Sequence, residues 1–358
     1  MIAHKHHYVP EWLQKRFLCN EDKYFYRDLK PNRVAKSDGT EYVSPSIRHQ
    51  IPKQCFRSDD LYSVNFPNLQ SDIVESKFFG PIDNHAPLAF EFFVTNKLAP
   101  SDKFYKQFLN YLSVQKIRTP KGLAWLHSFV SYISKSPPTQ EVLMNYLCAI
   151  GEMHITTWCE SVWEIVEAPY PEVGFLLTDH PVTAYNLQAP PEKHPFEPVI
   201  ESLGTRTLFP LDARHCLIIS NQEFVKNPIA STSLQSRTNP RSFSPAFFSP
   251  THIIRGRILA PEQVWSINFI LKKQALRYIA APRESWLDPE TQTPNQNWAQ
   301  LDHILQPQKP ILIQEIWAEY SDGKRVAIDG LGRPITAPEK LKEMEEIKRQ
   351  TKKPKTMN

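Results

Sequence analysis

Proline constrains this chain more than any other residue type. It occurs 32 times against 10 glycines in 358 residues. Each proline fixes φ and removes a backbone donor, so the imbalance predicts ordered, rigid connections and interrupted helices instead of flexible linkers. With 41% hydrophobic and 22% charged residues, a chain of this length can bury a sizeable core, in one large or two intimate domains. A net charge of +4 argues neither for nor against a nucleic-acid partner. Five scattered cysteines (Cys19, Cys55, Cys148, Cys159, Cys216) form no CxxC pair and read as reduced thiols of a cytoplasmic protein. The first residues are charged and His-rich, not apolar, so no signal peptide is expected. No window reaches the roughly 18 uncharged apolar residues a membrane span needs.

Periodicity predicts an α+β fold with a largely helical first half and a small, mainly antiparallel sheet in the second. Pro10 opens a short helix over 11–17, and 23–28 alternates as a strand. Residues 30–60 are turn-rich. Helices are expected over 72–79, 82–97 (after a break at Gly80-Pro81), 102–118 and much of 120–155. The β-rich stretch spans 157–220, with strands at 158–166, 174–178 and 207–220. Residues 186–203 and 226–252 read as loops, 261–281 as a helix. The domain-sized part is 1–285; 286–338 is an extension with one strand, at 311–320. The charged tail 339–358 reads as a frayed helix or disorder.

Several polar residues stand where apolar ones belong. His4-Lys5-His6-His7-Tyr8-Val9-Pro10 packs three imidazoles into four residues, and imidazole both titrates near neutrality and ligates metals. On helix 102–118, Phe104, Phe108 and Tyr111 share a face that ends in Gln115 and Arg118, within about 80° of the stripe. Thr119-Pro120 then stops the helix. A buried arginine needs a carboxylate, a group of carbonyls or an anionic ligand. Asn268 lies on one stripe with Val264, Leu271, Ala275 and Tyr278, which points to cross-bracing or to a site. Asp179 closes an apolar strand in Thr178-Asp179-His180-Pro181-Val182, where it serves a site or caps a turn. Glu75 follows Asp72 at capping-box spacing, which accounts for it without a ligand. Asp83 begins the next helix.

His6-His7-Tyr8-Val9-Pro10 with Leu13 and Phe17 resembles the opening of the bacterial domain-of-unknown-function family 4238. So do Glu75, Arg118-Thr119-Pro120, Thr178-Asp179-His180-Pro181-Val182, Phe209-Pro210-Leu211 and Asn268, in order and approximate spacing from residue 4 to about 281. His180 stands where the family commonly has a small polar residue; it adds a ligand or changes nothing. The resemblance implies site positions but no reaction.

Two readings fit these residues. In the first, His6, His7, Asp179 and Glu75 hold a divalent metal that activates water against a phosphodiester, in a nuclease-like effector acting on nucleic acid or nucleotide. Arg118 clamps the phosphate, and Gln115 or Asn268 orients it. Against it, the sequence shows no HExxH or HNH-like spacing, His6 and His7 are adjacent and poorly placed to bind one ion together, and there is no Gly-rich phosphate loop. In the second, the protein is a non-catalytic sensor or binding module in which His7 and Tyr8 join Asp179 or Arg118 in a buried network that pins the arm. A serine or cysteine hydrolase is a distant third, for want of GxSxG.

Overall fold

The computed structural model describes residues 5–18, 22–35, 41–59, 61, 79–95, 102–135, 137–237, 253–308, 316–319, 325–328, 338, 341–342 and 344–346. Asp72 and Glu75, Cys19, the segments 62–78 and 238–252, and most of the charged tail lie outside the described residues.

In chain order the first elements are β1 (Lys5–His7), α1 (Glu11–Lys15), β2 (Tyr24–Asp28), β3 (Arg33–Ala35), β4 (Glu41–Val43), β5 (Ile47–Gln50) and β6 (Arg57–Asp59). Four helices follow: α2 (Gly80–Thr95), α3 (Asp102–Ile117), α4 (Pro120–Ser134) and α5 (Gln140–Cys159). The second half holds β7 (Ser161–Glu167), β8 (Leu177–Thr178), β9 (Thr183–Tyr185), β10 (Arg206–Pro210), β11 (His215–Asn221), α6 (Gln222–Lys226), β12 (Ile254–Ile258), α7 (Pro261–Gln274) and β13 (Tyr278–Ala281). Two short helices, α8 (Pro289–Gln292) and α9 (Asp302–Leu305), and a ribbon of β14 (Ile316–Glu319) with β15 (Arg325–Ile328) complete it.

Local chemistry explains the boundaries that place the site. Thr119 caps α4 by accepting a hydrogen bond from the Gly122 N–H at 3.1 Å, with Pro120 in the first turn where its missing donor costs nothing. Thr139 caps α5 in the same way through Val142 N–H. In the β10–β11 hairpin, Asp212 Oδ1 accepts the backbone N–H groups of Arg214 and His215 at 2.7 and 2.6 Å, a side-chain turn that fixes the register.

Two sheets result. One runs β12-β7-β11-β10-β9, antiparallel except where β12 joins β7. The other, β5-β2-β13-β8, is antiparallel throughout. The α+β expectation therefore holds. Between the helices and the sheets lies an aromatic core in which Phe93 and Phe108 stack at 4.0 Å and Phe90, Tyr111, Trp163 and Phe209 surround them. A second core lies under α7, and a third joins α3, α4 and α5 around Ile117, Leu126 and Ile150. Among the described residues no helix is long and apolar enough to cross a membrane.

Several boundaries differ from the periodicity reading. Helix 261–281 is α7 followed by a strand: Ala275 is extended (φ −62°, ψ 144°), and β13 is captured between β2 and β8. Trp158 and Cys159 finish α5 and do not begin β7. The stretch 174–178 is strand only at its end. Gly80-Pro81 lies in the first turn of α2, and Pro87 sits inside that helix. Residues 30–60 hold four short strands: β3 and β4 pair locally with each other, while β5 and β6 pair with the earlier strands β2 and β1. The extension contains two paired strands among its described residues, not one.

Candidate functional site

The N-terminal arm is ordered by pairing and by two buried glutamines. β1 pairs with β6, placing His7 opposite Arg57. Gln115 Nε2 donates to Tyr8 O at 2.9 Å, and Gln14 Nε2 donates to Val9 O at 2.7 Å. Gln14 in turn accepts from Tyr24 Oη–H at 2.6 Å. Arg118 points inward, 1% exposed, donating from Nε to Gln115 Oε1 at 2.7 Å and from Nη1 to Asp83 Oδ2 at 2.8 Å. The rings of Phe79 and Tyr111 flank its guanidinium at 5.8 and 5.5 Å. Asp83, read as a mere helix start, is thus a carboxylate partner of Arg118.

The remaining predicted residues take separate positions. His7 Nε2 lies 3.2 Å from Lys53 O and 3.8 Å from Glu11, and burial lowers its pKa against the pull of Glu11. Asp179 accepts from three successive backbone amides instead: Leu276 at 2.9 Å, Arg277 at 2.7 Å and Tyr278 at 2.8 Å. Burial raises its pKa and those three amides pull it back. Asn268 accepts from Leu176 N–H at 3.0 Å and donates to Gly174 O at 2.8 Å, bracing the chain before β8 against α7. Of the predicted residues the structure joins Gln115 and Arg118 in one network; Asp179 and Asn268 each secure a different junction. The side chains of His6 and Glu75 lie outside the described residues, and among the described residues no group of three His, Cys, Asp or Glu is placed to hold a metal.

The chemistry that converges does so one step along the chain, at His180. This imidazole is buried, with Nδ1 2.6 Å from Thr119 Oγ1 and Nε2 3.1 Å from Glu197 Oε2. Thr119 Oγ1 already accepts from Gly122, which leaves its own proton for Nδ1. Nε2 then carries the ring proton toward the carboxylate; the opposite tautomer would set a lone pair against it. Lys116 Nζ donates to Val182 O at 3.0 Å and to Glu197 Oε2, and lies 3.2 Å from His180 Nε2. Lys121 Nζ donates to Gln274 O and Oε1 at 2.7 and 2.8 Å and faces Glu197 Oε1 at 3.9 Å.

These contacts set the charges. Burial lowers the His180 pKa to about 4 although Glu197 opposes it, so the ring is neutral at pH 7. Burial opposes ionisation of Glu197, yet Lys116, His180 and Lys121 hold its carboxyl well below the usual range. Burial lowers Lys121 as well. Glu197 sits at φ +42°, a left-handed conformation that costs a non-glycine residue about 1 kcal/mol or more.

His180, Glu197 and both lysines line a cavity of about 100 Å³ between α4, α5 and the 196–201 loop. Trp125 and Phe129, stacked at 5.3 Å one turn apart on α4, form one wall; Met153, Phe196 and Ile200 add apolar surface. Three further polar atoms complete the lining. His154 Nδ1, Glu197 Oε1 and Glu201 Oε1 are buried without a hydrogen-bond partner. Burial lowers His154 to about 3 and raises Glu201.

Periodicity missed Lys116, Lys121, His154, Glu197 and Glu201. A faint signal lay in Phe196-Glu197-Pro198-Val199-Ile200, an apolar run inside a proline-rich loop.

A family model described as "Protein of unknown function (DUF4238)" matches residues 5–285. No curated protein and no solved structure matches the chain.

Proposed function

The chain belongs to the DUF4238 family, whose function is unknown, and from that premise we propose that it is a binding or sensor module for a small ligand held in the pocket beside His180. One observation carries the reading: His154 Nδ1, Glu197 Oε1 and Glu201 Oε1, all buried without a hydrogen-bond partner, belong to residues lining one aromatic-walled cavity. An unpartnered buried polar atom costs about 1–3 kcal/mol. Three around one cavity are accounted for if a ligand completes them. The perturbed ionisation of His154, His180, Glu197 and Lys121 points to the same place.

Chemistry at this site has weaker support. Thr119, His180 and Glu197 follow one another as nucleophile, base and carboxylate do in a triad, yet Thr119 is 0% exposed, caps α4 and forms no part of the cavity wall. The metal-assisted phosphodiesterase reading, with nucleic acid or nucleotide as its substrate, assigns Arg118 to a phosphate and Asp179 to a metal. Arg118 is engaged with Gln115 and Asp83, and Asp179 with three amides, which favours a scaffold role for both.

The test is a thermal-shift screen of the whole protein against a fragment set of neutral, anionic and cationic compounds, repeated with Trp125→Ala and His154→Phe. At least one class should stabilise the parent protein by mass action, and both substitutions should diminish the shift. No stabilisation by any class, or shifts untouched by both substitutions, overturns the proposal.

A further inference from the structure

Resting on that reading, we infer that the pocket takes an uncharged planar nitrogen heterocycle of nucleobase type, which donates ring or exocyclic N–H groups to Glu197 Oε1 and Glu201 and lies along the wall formed by Trp125 and Phe129. The donors already in the site exclude the obvious alternative. Two lysines in a pocket suggest an anion, but two of the three protons of each are engaged within the protein. Lys116 is held by Val182 O and Glu197 Oε2 beside His180 Nε2, and Lys121 by both oxygens of Gln274. A phosphate or carboxylate ligand would find one remaining N–H on each lysine and would meet the ionised carboxylate of Glu197 beside both.

The unsatisfied groups of the lining are chiefly acceptors. Glu197 is ionised and accepts only. Its Oε1, like Glu201 Oε1, is buried without a donor. His154 is neutral, and its free Nδ1 accepts or donates according to tautomer. An edge that alternates N–H donors with one ring acceptor, as a nucleobase edge does, complements two carboxylate oxygens and an imidazole nitrogen.

Charge and shape select further. Two acidic side chains, Glu197 and Glu201, stand in the lining beside two basic ones, Lys116 and Lys121, so neither sign of charge dominates it. An amidinium or ammonium ligand that reached Glu197 would also meet both lysines, whose like charge offsets the attraction of the carboxylate. A neutral donor avoids it. The wall is two stacked aromatic rings, and stacking favours a flat, polarisable ligand over an aliphatic one.

The experiment titrates the full-length protein by calorimetry with adenine, guanine, xanthine, uracil and cytosine. It runs beside fully N-methylated xanthine (the same ring without N–H), naphthalene as a donor-free flat ring, and inorganic phosphate. At least one base should bind. Full N-methylation, Glu201→Gln and Trp125→Ala should each weaken binding by at least about tenfold, and Glu201→Gln should leave the melting temperature within about 2 °C. If every base fails up to about millimolar concentration, or if naphthalene, the N-methylated ring or phosphate binds as well as the best base, the ligand class is overturned. The pocket reading stands or falls separately, on whether any fragment in the broader screen depends on Trp125 and His154.

Discussion

Replacing Asp179 by asparagine tests whether this carboxylate holds the scaffold or serves a ligand. Oδ1 accepts from Leu276 N–H, and Oδ2 from the N–H groups of Arg277 and Tyr278, so two oxygens satisfy the three amides that lead α7 into β13. An asparagine has one oxygen. Turned toward the two-donor side, it leaves the Leu276 N–H facing an NH₂ group, at about 1–3 kcal/mol for the orphaned donor. The two surviving bonds lose charge assistance, about 1 kcal/mol each. Removing a buried charge whose pKa burial has raised returns part of this. The expected net loss is about 2–4 kcal/mol, a fall in melting temperature of roughly 3–5 °C for a chain of this size. Urea and thermal melts at neutral pH measure it, and hydrogen exchange at residues 276–278 should accelerate. An Asp179→Asn protein with parental stability and unchanged exchange would refute the clamp. Loss of a bound divalent ion in that variant, without loss of stability, would favour the metal-ligand role.

Two further outcomes follow from the same contacts. Arg118→Ala should cost about 3–5 kcal/mol by removing one partner of a buried ion pair, and Arg118→Lys should recover little, because a single ammonium cannot span Gln115 and Asp83; parental stability in urea melts of Arg118→Ala would refute the network. Stability should also fall as pH drops from about 6.5 toward 4: His180 and His154 stay neutral when folded, at about 4 and 3, while the unfolded chain takes up protons there. His180 alone contributes on the order of 3 kcal/mol over that window, with Glu197 adding to the loss at lower pH and Asp179, raised by burial, opposing it. His154→Phe should flatten the profile, and a parent curve flat between about pH 4 and 7 would overturn the neutral-imidazole assignment.

Local rules act within a few residues, and where they sufficed the sequence was enough. Thr119-Pro120 ends one helix and caps the next because a threonine oxygen and a missing proline N–H suit that junction whatever surrounds it. The stripe from Phe104 to Arg118 required an inward arginine with a partner, and the Val264-Asn268-Leu271 face required a bonded amide; both are present. What tertiary structure decided is which distant groups meet. Tyr278 continued a helical stripe but became a strand residue, because β2 and β8 offered a ladder on both sides and Asp179 anchored the turn before it. The dense imidazole arm drew attention to His7, yet the site formed around His180, where a proline-rich loop carries Glu197 back 81 residues onto Lys116. Neither residue has a periodic signature. Their meeting depends on loop closure, and only the packed chain brings a carboxylate from 197 and ammonium groups from 116 and 121 to one imidazole.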